Sequence, residues 1–127
     1  MKSVLTTALL VAFVTPLALA AEGNKLPKEF SVTIKPGKIH EECIELKKDT
    51  EIAYHFKASQ PVPFNIHYHV AKDKSDSKEE KVEFPVKIDK IDTKDDVLRV
   101  AVDQHYCWMW SNKTAESVTI AGSLAKK

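Results

Sequence analysis

Glycine is scarce, with three in 127 residues, so the chain has no glycine-rich loop that could cradle a phosphate. Neither sign of charge dominates. Lysine plus arginine number 19 against 18 acids, which leaves no basic excess to hold a nucleic-acid backbone. No window outside the N-terminus carries a helical hydrophobic period, no internal repeat occurs, and no Gly-x-Ser-x-Gly nucleophile elbow is present. The balance of 43% hydrophobic and 29% charged residues excludes both a membrane protein and a disordered chain. The length suits one domain.

The first twenty residues stand apart from the rest. Lys2 gives a positive start, Val4 to Ala20 is almost wholly apolar, and the run leaves through Ala18-Leu19-Ala20 before Ala21. That order describes a cleavable secretory signal over residues 1–20. Pro16 beside a small-residue exit speaks against a membrane anchor, which needs about 20 uninterrupted apolar residues. No cysteine follows the run, so a lipoprotein anchor is not expected. The sequence therefore predicts an exported protein, periplasmic or secreted, with no membrane span after cleavage. Cleavage removes one lysine and leaves 18 bases against 18 acids.

Cysteine is scarcer than glycine, and its two copies, Cys43 and Cys107, both lie beyond the signal. In an exported chain an even pair is most simply a disulfide. A small domain buries only about two thirds of its unfolded surface, so such a staple has a purpose. Closing so long a loop is worth roughly 4 kcal/mol in the chain-entropy model.

A polar leader occupies residues 21–29, and hydrophobicity then alternates with period two through most of residues 30–124. Phe30, Val32 and Ile34 alternate with polar residues up to Pro36-Gly37. Further strand-like segments are Ile39 to Leu46, Thr50 to Ala58, and Val62 to Val70 after the Gln60-Pro61 break. Ala71 to Glu80 is charged and reads as an exposed loop. Lys81 to Ile88, Val97 to Val102, His105 to Ser111 and Ser117 to Ile120 complete the series. About eight short strands punctuated by turns predict an all-β domain, an antiparallel β-sandwich with one disulfide. Pro85 inside a strand-like run predicts an edge or a bulge. Asn112-Lys113-Thr114 fits a glycosylation sequon but reads here as a turn after a strand.

Alternation also assigns faces. Ile52, Tyr54 and Phe56 point one way; Ala53, His55 and Lys57 point the other. Phe64, Ile66, Tyr68 and Val70 oppose Asn65, His67 and His69. Tyr106, Trp108 and Trp110 oppose His105, Cys107 and Met109. Ile44 and Leu46 are core positions, which leaves Cys43 with Glu41 and Glu45. Four histidines, Met109 and both cysteines thus share the non-core phase, provided no bulge shifts the register.

Two segments carry a resemblance. Glu41-Glu42-Cys43-Ile44-Glu45-Leu46 followed by a period-two strand, and His105-Tyr106-Cys107-Trp108-Met109-Trp110-Ser111-Asn112 followed by Ser117-Val118-Thr119-Ile120, resemble the two ends of a Golgi-dynamics (GOLD) domain. The resemblance spans roughly residues 30–121. It implies a β-sandwich with Cys43 bonded to Cys107, and a binding module in place of an enzyme. The receptors that carry such domains continue into a coiled coil, a membrane helix and a sorting tail. This chain stops at Lys127, so a small free-standing exported relative is expected, without cargo-receptor function.

His67-Tyr68-His69 is the main candidate for chemistry. Two histidines at i and i+2 project from one face of a strand, close enough to bind one metal. His55 would reach the same patch if its strand pairs alongside, and His105 and Met109 share the phase. Imidazole with thioether suits copper, and imidazole alone also suits zinc. Trp108 and Trp110 would then shield the cation. The plainer alternative is a solvated strand face and a tryptophan core. Catalysis has less behind it. A Cys-His pair would need Cys107 reduced, and no motif assembles the available Ser, His and acidic residues. The expected function is that of a non-catalytic exported module. Its partner would be another exported protein or a small ligand, docked on an open sheet edge or on the exposed part of the Tyr106–Trp110 strand. The alternative is a copper or zinc protein with His67 and His69 as central ligands.

Overall fold

A computed structural model describes residues 25–70 and 81–127. The signal, the start of the leader and the Ala71–Glu80 loop lie outside the described residues. Six strands run through the described parts: β1 (Lys28–Ile34), β2 (Ile39–Leu46), β3 (Glu51–Val70), β4 (Lys81–Arg99), β5 (Gln104–Ser111) and β6 (Val118–Lys126). The domain is all-β, and every pairing is antiparallel. Strand number corrects the expectation of eight. Thr50–Ala58 and Val62–Val70 belong to one 20-residue strand, and the segment Lys81–Val102 supplies one strand of 19 residues.

The register gives the physical reason. β3 pairs with β6 as far as Ala58 and with β5 from Phe64 onward, so Pro61 and Pro63 fall where it changes neighbours. A proline there interrupts no ladder on that side. On its other side β3 keeps β4 throughout, across register shifts between Lys57 and Val62, Val62 and Phe64, and Ile66 and Tyr68. The last shift falls opposite Phe84 and Pro85, so Pro85 sits at a bulge on a strand that pairs only with β3. The Lys–Asp alternation of residues 89–96, which resembles a loop, is tolerated because β4 is an edge, where Ile91 packs against the core and Asp89, Lys90, Asp92, Asp95 and Asp96 are exposed.

The strand order β1-β6-β3-β5-β2, with β4 beside β3, describes one sheet folded across a common corner. One wing holds β1, β6 and the first half of β3; the other holds β2, β5 and its second half. The result is a single curled sheet, a half-barrel, instead of the expected eight-strand sandwich. Gly37 takes the corner between β1 and β2 with φ of 76°, a value L-residues avoid, and its N–H donates to the Asn112 carbonyl at 2.8 Å. Asn112 holds the matching corner between β5 and β6. Its Nδ2 donates to the carbonyls of Ile34 (2.9 Å) and Glu116 (2.7 Å), and its Oδ1 accepts from Thr114. With both amide hydrogens committed and the residue 1% exposed, the sequon is a structural corner.

The core lies between the wings. Ile52, Tyr54, Phe56, Phe64, Ile66, Tyr106, Trp108 and Trp110 are all buried on the inner face, as alternation predicts, while Tyr68 is half-buried. The aromatic rings cross from wing to wing. Phe56 meets Phe64 at 4.7 Å and Trp110 at 5.3 Å, and Tyr54 meets Trp108 at 5.9 Å between centroids. Each such pair adds about 0.5–1.5 kcal/mol beyond the area it buries. Cys43 and Cys107 stand directly opposite on β2 and β5, and they form the expected disulfide.

Candidate functional site

The outer face of the second wing collects the chemistry-bearing side chains. Because the inner phase of β2, β3 and β5 is given to the core, their other residues line up outside in cross-strand rows. One row runs Glu41, Met109, Asn65, Lys87 across four strands, and the next runs Cys43, Cys107, His67. Glu45 faces His105 one row further along.

His67 is the most enclosed of this set, 5% exposed although it stands on the outer face. Phe84, re-aimed outward at the β4 bulge, lies against it with ring centroids 5.9 Å apart, and His69 stands edge-on at 5.3 Å. Its Nδ1 is 2.7 Å from Asn65 Oδ1. A carbonyl oxygen only accepts, so Nδ1 carries a proton, and in the neutral ring Nε2 presents a lone pair. That lone pair faces Glu41 Oε1 at 3.5 Å. Burial lowers the His67 pKa below the ordinary histidine value. The Glu41 charge opposes that shift, and His69 adds to it.

The other predicted ligands divide. Met109 is half-buried beside Glu41 and Asn65 in the register. His105 bends over the disulfide, its ring nitrogen within 4.8 Å of both sulfurs. Cys43, His105 and Cys107 thus have metal-like spacing, yet the sulfurs are bonded to each other and offer no thiolate. His55 does not join. It lies on β3 itself, twelve residues before His67 and on the outer face of the first wing, where Ser123 Oγ contacts its Nδ1 at 3.0 Å. The two outer faces point away from each other, so the expectation that His55 shares the patch is corrected.

Tyr106, Trp108 and Trp110 are at most 1% exposed, which corrects their assignment as a partner surface. β5 is a central strand, and its inner phase packs on the opposite wing. The tryptophans are also separated from His67, His69 and His105 by the sheet itself, so they shield no cation there. What remains exposed of that strand is its outer phase, namely His105 and the half-buried Met109.

Two features escaped sequence reasoning. Phe84, 43% exposed, carries the Lys87 ammonium 5.0 Å from its ring centroid. The proline that follows it was the available signal. Glu42 is buried on the inner face, ion-paired with Lys28 of β1 and 2.8 Å from His40 Nε2. Its phase with Ile44 and Leu46 marked it. The first wing holds a row Glu29, Ser123, His55, Asp95 that offers a Ser–His–acid order. It lies on an open sheet surface, and β6 is laddered on both sides, to β1 and to β3. The N–H groups around Ser123 are committed to those ladders and cannot gather as an oxyanion hole.

No protein-family model matches the chain, and no curated protein does. Among solved structures, one match is a solution NMR structure of a de novo designed double-stranded β-helix. It is 13% identical with a TM-score of 0.41, covering 76% of this chain and 97% of the designed one.

Proposed function

We propose that the protein is an exported, non-catalytic binding module, and that it engages another exported protein through the outer face of the β2–β5–β3 wing. One observation carries this reading. Phe84 is 43% exposed on a face where His67, His69, Met109 and Lys87 converge. An aromatic residue in water beside a cation and imidazoles is the composition of a recognition surface. The Cys43–Cys107 bond ties two strands of that face together, so little ordering remains to be paid on binding. The β4 edge is a poorer dock, because Pro85, the bulges and the alternating Lys and Asp blunt it against strand addition.

Site-specific photocrosslinking in the native envelope fraction tests the reading. A benzophenone amino acid is placed at Phe84 or Met109, and at Ser31 on the outer face of the other wing. One adduct of defined mass from positions 84 and 109, and none from 31, is the expected result. Equal yields from all three positions, or no adduct from 84 and 109, would refute it.

A further inference from the structure

We infer that Glu41, His67, His69 and Met109 form a binding site for a divalent first-row metal ion, taking Cu(II) ahead of Zn(II). The site lies on the proposed recognition face but does not depend on a protein partner. Its centre is the approach of His67 Nε2 to Glu41 Oε1 at 3.5 Å. With a ring proton held on Nδ1 by Asn65, the Nε2 of the neutral ring turns its lone pair toward the Glu41 carboxylate. The gap is longer than an ordinary N–H···O hydrogen bond of about 2.7–3.2 Å. It matches coordination instead. Two donors each about 2.1 Å from one ion, roughly a tetrahedral angle apart, lie about 3.4 Å from each other.

The surroundings are those of a ligand. A metal-binding histidine typically donates its second ring N–H to a carbonyl or carboxylate, which fixes its tautomer and orientation, and Asn65 does this for His67 at 2.7 Å. His69 stands edge-on to the same ring at 5.3 Å, the second imidazole on this face. Met109 is the cross-strand neighbour of both Glu41 and Asn65, which places its thioether in the same row. The donors come from three adjacent strands, β2, β3 and β5, two of which the disulfide joins. For a mixed nitrogen and oxygen set the divalent series favours copper over zinc.

Calorimetric titration of the disulfide-bonded protein with Cu(II) and Zn(II) tests this, together with electron paramagnetic resonance of the copper form. One equivalent of copper is expected, bound more tightly than zinc, with nitrogen hyperfine structure from two imidazoles. His67→Ala should weaken binding about 100-fold, and Glu41→Gln and Asn65→Ala roughly 10-fold each. Glu41 is exposed, so its variant reports on the site even where His67→Ala disturbs the fold. His55→Ala on the other wing should leave affinity unchanged. Affinity that is unaltered in both Glu41→Gln and His67→Ala would overturn the site, as would no copper binding. Equal weakening by His55→Ala would do the same, because it would mean adventitious surface binding.

Discussion

Glu42 is the only acidic side chain buried among the described residues, and its replacement by glutamine isolates one electrostatic contribution. The carboxylate is 9% exposed and takes Lys28 on one oxygen and His40 on the other. Glu42→Gln keeps the shape, removes the charge and leaves the Lys28 ammonium facing a neutral amide. Removing one partner of a fully buried ion pair costs about 3–5 kcal/mol. Here the side chains of Lys28 and His40 keep 22% and 28% of their exposure, so water recovers part of the loss. A destabilisation of about 1–3 kcal/mol follows.

The acid limb gives an independent check on the same group. Burial alone would raise the Glu42 pKa, but hydrogen bonds and charge from Lys28 and His40 outweigh it and hold it below 4.5. A carboxyl with a depressed folded pKa contributes stability above its unfolded pKa and loses it as pH falls through the folded one. Urea unfolding at stepped pH should therefore show the full gap between wild type and Glu42→Gln near pH 5, where the carboxylate is still ionised. Below about 4.5 the gap should narrow as wild-type Glu42 takes up a proton. Lys28→Met completes a double-mutant cycle, in which a coupling near 1 kcal/mol or more is expected. Zero coupling, or a gap that widens as pH falls below about 4.5, would refute the electrostatic reasoning.

Replacing both cysteines by alanine removes a cross-link between residues 64 apart, which the chain-entropy model values at about 4 kcal/mol. Urea unfolding of that variant beside the oxidised protein measures the loss, and a difference under about 1 kcal/mol would contradict the estimate. Gly122→Ala should destabilise by about 2–4 kcal/mol, because a Cβ there runs into the His55 carbonyl and lies 2.8 Å from Phe30 Cζ and 2.9 Å from Phe56 Cβ. The carbonyl belongs to a laddered central strand and cannot swing aside. A thermal midpoint within a degree of wild type would show that the strands separate more readily than the register implies.

How much the sequence discloses depends on whether a feature is local. Ile52, Tyr54 and Phe56 declare their face by alternation alone, and so do Trp108 and Trp110, because one strand's pleat sets that phase. Pro61 misleads for the opposite reason. Locally it is a breaker, and only the hand-over of β3 from β6 to β5 shows that no ladder is broken there. The same non-local fact separates His55 from His67. Both are outward residues of one strand, but the corner lies between them. Asn65 and Glu41 are ordinary polar alternates until β2 and β3 are brought to either side of β5.

The corner also explains why the candidate chemistry sits on one outer face and not on the other. Folding the sheet commits the inner phase of both wings to apolar contact apart from the Glu42–Lys28–His40 cluster, so most other side chains with donor atoms are left outside. On the first wing the outer residues around the corner are small, with Ser31, Ala121 and Ser123 beside His55. Small residues leave an open depression and hold nothing in place. On the second wing the outer rows contain a disulfide, Phe84 and Met109, bulky enough to bury His67 against the sheet and fix its ring. A histidine held in one orientation with its lone pair toward a carboxylate has already lost most of the freedom that binding would take away. His55, exposed beside a serine hydroxyl, has not.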